Sequence, residues 1–152
     1  MSEKPSSIET LVGRHRRIAI DSNVLIYLLD GTGRRAELSA RLLDAIGRGE
    51  VEGVLASVGL AEVLVASARA DDGPLFEQTA ATLRDLGLRV VTLDAQAAED
   101  AAWIRGRTGA SMPDAVHLAC AMRAGATTFV TNDRTMPTPA RLGITILDDL
   151  VA

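Results

Sequence analysis

The chain has one cysteine, one lysine and no apolar run of bilayer-spanning length, and each scarcity removes a class of explanation. Cys120 alone excludes an intramolecular disulfide and any zinc site built from cysteines. Its place in an apolar helical pattern reads as core packing of an inert thiol. With Lys4 the single lysine, arginine supplies nearly all the positive charge, and arginine suits bidentate phosphate contacts. Acidic residues still outnumber basic ones, 20 to 16, and a formal net charge of −4 offers no overall attraction for nucleic acid. The opening stretch, MSEKPSSIETLVGRHRR, lacks the apolar middle of a secretory signal, so a cytoplasmic location without a membrane partner is expected. Repeats, low-complexity tracts, an inner linker and a GxxxxGK[ST] phosphate loop are also absent.

What is present is 152 residues, 47% of them apolar, which predicts one domain with a real core. Residues 1–16 read as a polar N-terminal extension in which Ser7 caps a short helix bearing Ile8, Leu11 and Val12, and residues 17–152 as the domain itself. Strand and helix patterns then alternate. RIAID (17–21), VEGVLAS (51–57), LRVVTLD (88–94), ATTFVT (126–131) and ITILD (144–148) read as strands. Helices are expected over 22–30, 34–48, around Glu62 to about Ala70, 75–86, 95–108 and 111–125, with DDGP (71–74) as a turn. Strands separated by helices predict an α/β fold, a mostly parallel sheet with helices on both faces. Sites in such sheets form beyond the carboxyl ends of strands, near the point where strand order reverses.

Four carboxylates occupy such places. Asp21 ends the first strand, Glu62 lies early in the helix after the second, Asp114 is in the first turn of its helix, and Asp133 follows FVT in the turn TND. Each also has a local explanation. Asp21 suits a helix N-cap, Ser111-x-x-Asp114 a capping box, and Asn132-Asp133 a turn. Glu62 lacks one: its neighbours at helical spacing are Val58, Gly59, Val65 and Ala66, those of a buried helix, with no Lys or Arg within one turn. Converging carboxylates without cations repel, by about 4 kcal/mol for two charges ~4 Å apart at an effective dielectric near 20. A bound cation relieves this, and hard oxygen ligands point to Mg²⁺ or Mn²⁺. Such a site suits metal-assisted phosphodiester hydrolysis by an activated water.

The stretches IDSNVLIYLL, ASVGLAEVL, MPDAVHLACA and FVTNDR resemble, in order and spacing, the four acidic motifs of PIN-domain ribonucleases, above all the VapC-type toxins of toxin–antitoxin pairs. The resemblance runs from about Arg17 to Leu150. It implies a three-layer α/β/α sandwich and Mg²⁺- or Mn²⁺-dependent cleavage of RNA. It also implies that Asp21, Asp114 and Asp133 hold metal, with Glu62 completing the set directly or through water. Ser22 keeps the hydroxyl that follows the family's first aspartate, Asn132 is placed to orient a ligand or phosphate, and His117 reads as structural. An antitoxin that inserts a segment into the acidic cleft and a homodimer are further implications.

Two features depart from compact family members: the longer N-terminal extension, and the scattered basic residues, of which Arg34, Arg35 and Arg134 are candidates for the mouth of an RNA path. A phosphoacceptor receiver needs adjacent acids after the first strand and a late lysine, and a haloacid-dehalogenase-type phosphatase needs Asp-x-Asp; Asp21-Ser22-Asn23 meets neither pattern. A catalytically silent PIN-like module binding RNA or protein, or a housekeeping ribonuclease without an antitoxin, are the alternatives within the family.

Overall fold

The computed structural model describes residues 4–151. The first three residues of the expected extension, and residue 152, lie outside that range. The element order is α1 (Ile8–Arg14), β1 (Arg17–Ile20), α2 (Ser22–Asp30), α3 (Gly33–Gly47), β2 (Glu52–Ala56), α4 (Ser57–Arg69), α5 (Gly73–Arg84), β3 (Arg89–Val91), α6 (Ala95–Thr108), α7 (Met112–Arg123), β4 (Thr128–Thr131) and β5 (Gly143–Ile146), closed by a 3-10 turn, Leu147–Asp149. The five strands form one sheet in the order β3-β2-β1-β4-β5, and every pairing is parallel. Among the described residues, no helix is long and apolar enough to cross a membrane.

Successive residues of a strand face opposite sides. Ile18 and Ile20 of β1, with Leu55 and Val130 from its neighbours, join the core formed by α1 to α5. Ala19, Val54, Ala56 and Phe129 face the other way, onto α6 and α7. Small strand residues there meet Ala115, Ala119 and Ala121 of α7, so helix and sheet approach closely. The result is the three-layer α/β/α sandwich.

The segment before β1 is part of this structure. Ser7 caps α1 by accepting the Thr10 N–H at 3.0 Å, and Ile8 and Leu11 are buried in the core. Ser7 also bridges Val151 in parallel, so the two ends of the described chain meet. At the other end, the expected strand ITILD gives way after Ile146 to the 3-10 turn. The cause is visible: Asn132 Oδ1 accepts the Asp148 N–H at 3.0 Å, outside the sheet ladder.

Strand order reverses between β1 and β4, since the chain builds outward from β1 through β2 to β3 and then returns to β1's other side. The carboxyl ends of β1 and β4 therefore flank the crevice where ligands bind in such sheets.

Candidate active site

Asp21 leaves β1 at this crevice and becomes the N-cap of α2. Its Oδ1 accepts the Ser22 N–H at 2.7 Å, and its Oδ2 accepts the Thr131 hydroxyl at 2.7 Å. Asn23 Nδ2 donates to the same Oδ2 at 3.4 Å. The carboxylate is thus buried, 6% exposed, yet both its oxygens have hydrogen-bond donors. Capping and convergence on a site turn out to be compatible roles for one residue.

Thr131, the last residue of β4, ties two of the acids together. While its hydroxyl donates to Asp21, the same oxygen accepts the Asp133 N–H at 3.0 Å. Asp133 Oδ1 in turn accepts the Thr135 N–H at 2.9 Å and the Thr135 hydroxyl at 2.6 Å, which fixes the turn. In the sequence, Thr131 is marked only by its place, a hydroxyl at the end of the strand that precedes the TND turn.

Asp114 belongs to the first turn of α7. Gly109, at a left-handed φ of 73°, ends α6 and turns the chain back. Ser111 then caps α7 by accepting the Asp114 N–H at 3.3 Å. Burial pushes the Asp114 carboxyl above the usual aspartate range, and the charges of Asp21 and Asp133 push it the same way. Asp114 therefore lies within reach of the charges of both other aspartates.

Glu62 completes the group from α4. Its Oε1 lies 2.6 Å from Nε2 of His117, and that hydrogen bond holds its carboxyl below the usual range, with help from the Ser22 hydroxyl. The nearest ligand atoms of Asp21, Glu62 and His117 all lie within 4.8 Å of one another. The buried helix expected around Glu62 is not what forms. Ala61, Val65 and Ala66 are exposed, and the Glu62 side chain is 39% exposed. Glu62, Val63, Ala66 and Ser67 of α4 line an apolar groove with Ile26, Leu29 and Leu75. His117, expected to be structural, is 2% exposed and brings its Nε2 into the cluster, 3.6 Å from Asp21 Oδ1.

Other candidates are differently employed. Asn132 donates through Nδ2 to the Tyr27 hydroxyl at 3.3 Å while its Oδ1 accepts from Asp148, so its amide joins α2 to the C-terminal turn. Ser22 Oγ lies 3.4 Å from Asp21 Oδ1. The three arginines proposed for the mouth hold that turn: Arg35 grips Asp148 through two bonds, Arg134 grips Asp149 likewise, and Arg34 donates to the Leu150 carbonyl. Among the described residues no Lys or Arg ion pair neutralises Asp21, Glu62, Asp114 or Asp133. Oxygen donors around uncompensated negative charge fit a hard divalent cation.

No curated protein sequence matches the chain. Several solved structures share its fold. A VapBC2 complex from Rickettsia felis, bound to a DNA fragment from its promoter, aligns over 86% of this chain and 98% of its own at a TM-score of 0.68 and 14% identity. FitAcB from Neisseria gonorrhoeae aligns over the same shares, 86% and 98%, at a TM-score of 0.68 and 20% identity. VapC20 of Mycobacterium tuberculosis, a sarcin-ricin loop cleaving toxin, aligns over 74% of this chain and 86% of its own at a TM-score of 0.59 and 19% identity. The PIN domain family model matches residues 18–142, from the first residue of β1's buried core to the last before β5, and the chain therefore belongs to the PIN domain family.

Proposed function

We propose that this protein is a divalent-metal-dependent ribonuclease, the toxin of a toxin–antitoxin pair. The observation that carries the reading is the meeting of Asp21 and Glu62 at the reversal point of a PIN-family sheet, with Asp133 tied to Asp21 through Thr131, Asp114 within reach of the charges of both aspartates, and no Lys or Arg ion pair to any of the four among the described residues.

Asp21, Asp114 and Asp133, with Glu62, would hold the cation, Mg²⁺ or Mn²⁺. When bound, it lowers the pKa of a coordinated water and stabilises charge on the leaving oxygen. The chain's own part is to hold the ligands still. Ser22 N–H and the Thr131 hydroxyl fix the two oxygens of Asp21, and Thr135 fixes Asp133. Burial and its two acidic neighbours disfavour the Asp114 charge, and a bound cation would balance it.

The antitoxin reading has its own support. The groove lined by Ile26, Leu29, Ala66 and Leu75 runs up to Glu62, and three of its apolar side chains stand 40–47% exposed. A partner segment with apolar side chains for the groove and a cation for the acids would cover both at once. The relatives crystallised as toxin–antitoxin complexes set the precedent.

The test is RNA cleavage by purified protein. Cleavage is expected with Mn²⁺ or Mg²⁺, arrest with EDTA, and severe loss in Asp21→Asn. An Asp21→Asn protein that is folded and cleaves as fast as wild type sinks the assignment.

A further inference from the structure

His117 is the one nitrogen donor in an otherwise all-oxygen cluster. It is 2% exposed, so its polar atoms have left water. Its Nδ1 is buried without a hydrogen-bond partner among the described residues. Its Nε2 faces two carboxylates, Glu62 Oε1 at 2.6 Å and Asp21 Oδ1 at 3.6 Å. Ionised carboxylates only accept, so the proton sits on Nε2 and is donated to Glu62. A metal-ligating imidazole almost always gives its other N–H to a carboxylate, carbonyl or water, and Nδ1 here has nothing to give to.

The surroundings hold the ring rather than feed it. Phe129 packs against it, ring centroids 5.7 Å apart. Against its Cε1 lies Gly59, one helical turn before Glu62. A Cβ at Gly59 would stand 2.8 Å from His117 Cε1 and 2.7 Å from Leu55 Cδ1, closer than such atoms approach. The missing side chain at Gly59 is therefore the space in which the imidazole lies. Glu62 needs this support: a long side chain, partly exposed on α4, it has several rotamers and loses that freedom when fixed.

We propose that His117 is a positioning residue that acts through Glu62: its Nε2–H aims the Glu62 carboxylate at the cation beside Asp21, and Gly59 makes the room for it to do so. The proposal rests on the metal-site reading above.

The experiment is Mn²⁺ binding, by calorimetry on EDTA-stripped protein, in a double-mutant cycle of His117→Phe and Glu62→Gln. Phe keeps the ring contact with Phe129 and removes the donor. His117→Phe is expected to weaken Mn²⁺ by about 10–100-fold, the usual loss when a partner of a ligand is removed. In the Glu62→Gln background the same change should cost nothing further, since the two act as a unit. His117→Gln, which can still donate to Glu62, should restore part of the affinity. Gly59→Ala, which leaves every polar group in place, should weaken Mn²⁺ as well, and it reads the same point if His117→Phe does not fold. Undiminished or tighter Mn²⁺ binding by His117→Phe, or an equal loss in both backgrounds, overturns the proposal. The latter would make the imidazole an independent ligand. Wild type that binds Mn²⁺ and cleaves RNA while His117→Phe binds equally well removes only the positioning role. Wild type that neither binds nor cleaves removes the metal-site reading and this proposal with it.

Discussion

Charge crowding at the crevice gives a metal something to relieve, and mass action sets the size of its effect on stability. At the 4.8 Å limit separating ligand atoms of Asp21 and Glu62, two unit charges repel by about 3.5 kcal/mol at an effective dielectric of 20 and about 0.9 kcal/mol in bulk water. Glu62 is 39% exposed, and its bond to His117 offsets part of this, so the lower half of that interval applies. A divalent cation replaces the repulsion with attraction and binds only the folded arrangement. At free metal about 100 times its dissociation constant, the gain is about 2.7 kcal/mol. A domain of this length moves its melting midpoint by about 2–4 °C per kcal/mol, so Mn²⁺ should raise it by about 5–11 °C. The assay is scanning calorimetry of EDTA-stripped protein with and without Mn²⁺, at ionic strength matched with a sodium salt so that screening is held constant. Asp21→Asn should lose most of the rise. Equal midpoints with and without millimolar Mn²⁺, or an equal rise in Asp21→Asn, would refute the reasoning.

Two further expectations follow from the geometry. Asp114→Asn should be more stable than wild type at neutral pH without metal: its carboxyl titrates above the ordinary value near 3.9, so over that interval the native state binds more protons than the unfolded one and stability falls as pH rises. The gain should vanish below the ordinary aspartate range, where both states are protonated; thermal melts across pH would show it, and a less stable variant at neutral pH would contradict it. Leu11→Ala should cost about 2–5 kcal/mol in urea unfolding, because Leu11 is fully buried against the core. A cost under about 1 kcal/mol would make α1 a loosely held appendage instead.

The alternation of strands and helices was legible because buried parallel strands and capped helices leave local marks: Asp21 before α2, Ser111 and Pro113 at the start of α7, Gly109 at the end of α6. The positions of the acids followed from one rule about sheet ends. The rest was lost wherever the deciding contact is made between distant segments. LRVVTLD reads as a seven-residue strand, but β3 lies at the sheet edge with one neighbour, and only three residues pair before Asp94 caps α6. Arg34, Arg35 and Arg134 read as a basic mouth because nothing local shows that Asp148, Asp149 and the Leu150 carbonyl wait for them. Glu62 was legible as an anomaly and its partner was not, since His117 comes 55 residues later. Apolar flanks read as burial, yet Ala61, Val65 and Ala66 are exposed, and their own sequence cannot distinguish core from an uncovered surface.

Helix α4 faces two ways, and this gives it leverage. Gly59, Val63 and Ser67 are sunk into the fold, Glu62 meets His117 beside Asp21, and the exposed Ala66 lines the groove with α2 and α5. A single rigid rod thus bears a member of the acidic cluster on one stretch of its circumference and a solvent-facing apolar strip on the next. Any body that presses on that strip acts on the rod that carries Glu62. If it binds better with the carboxylate in one place than another, reciprocity requires the cation to change its affinity by the same factor.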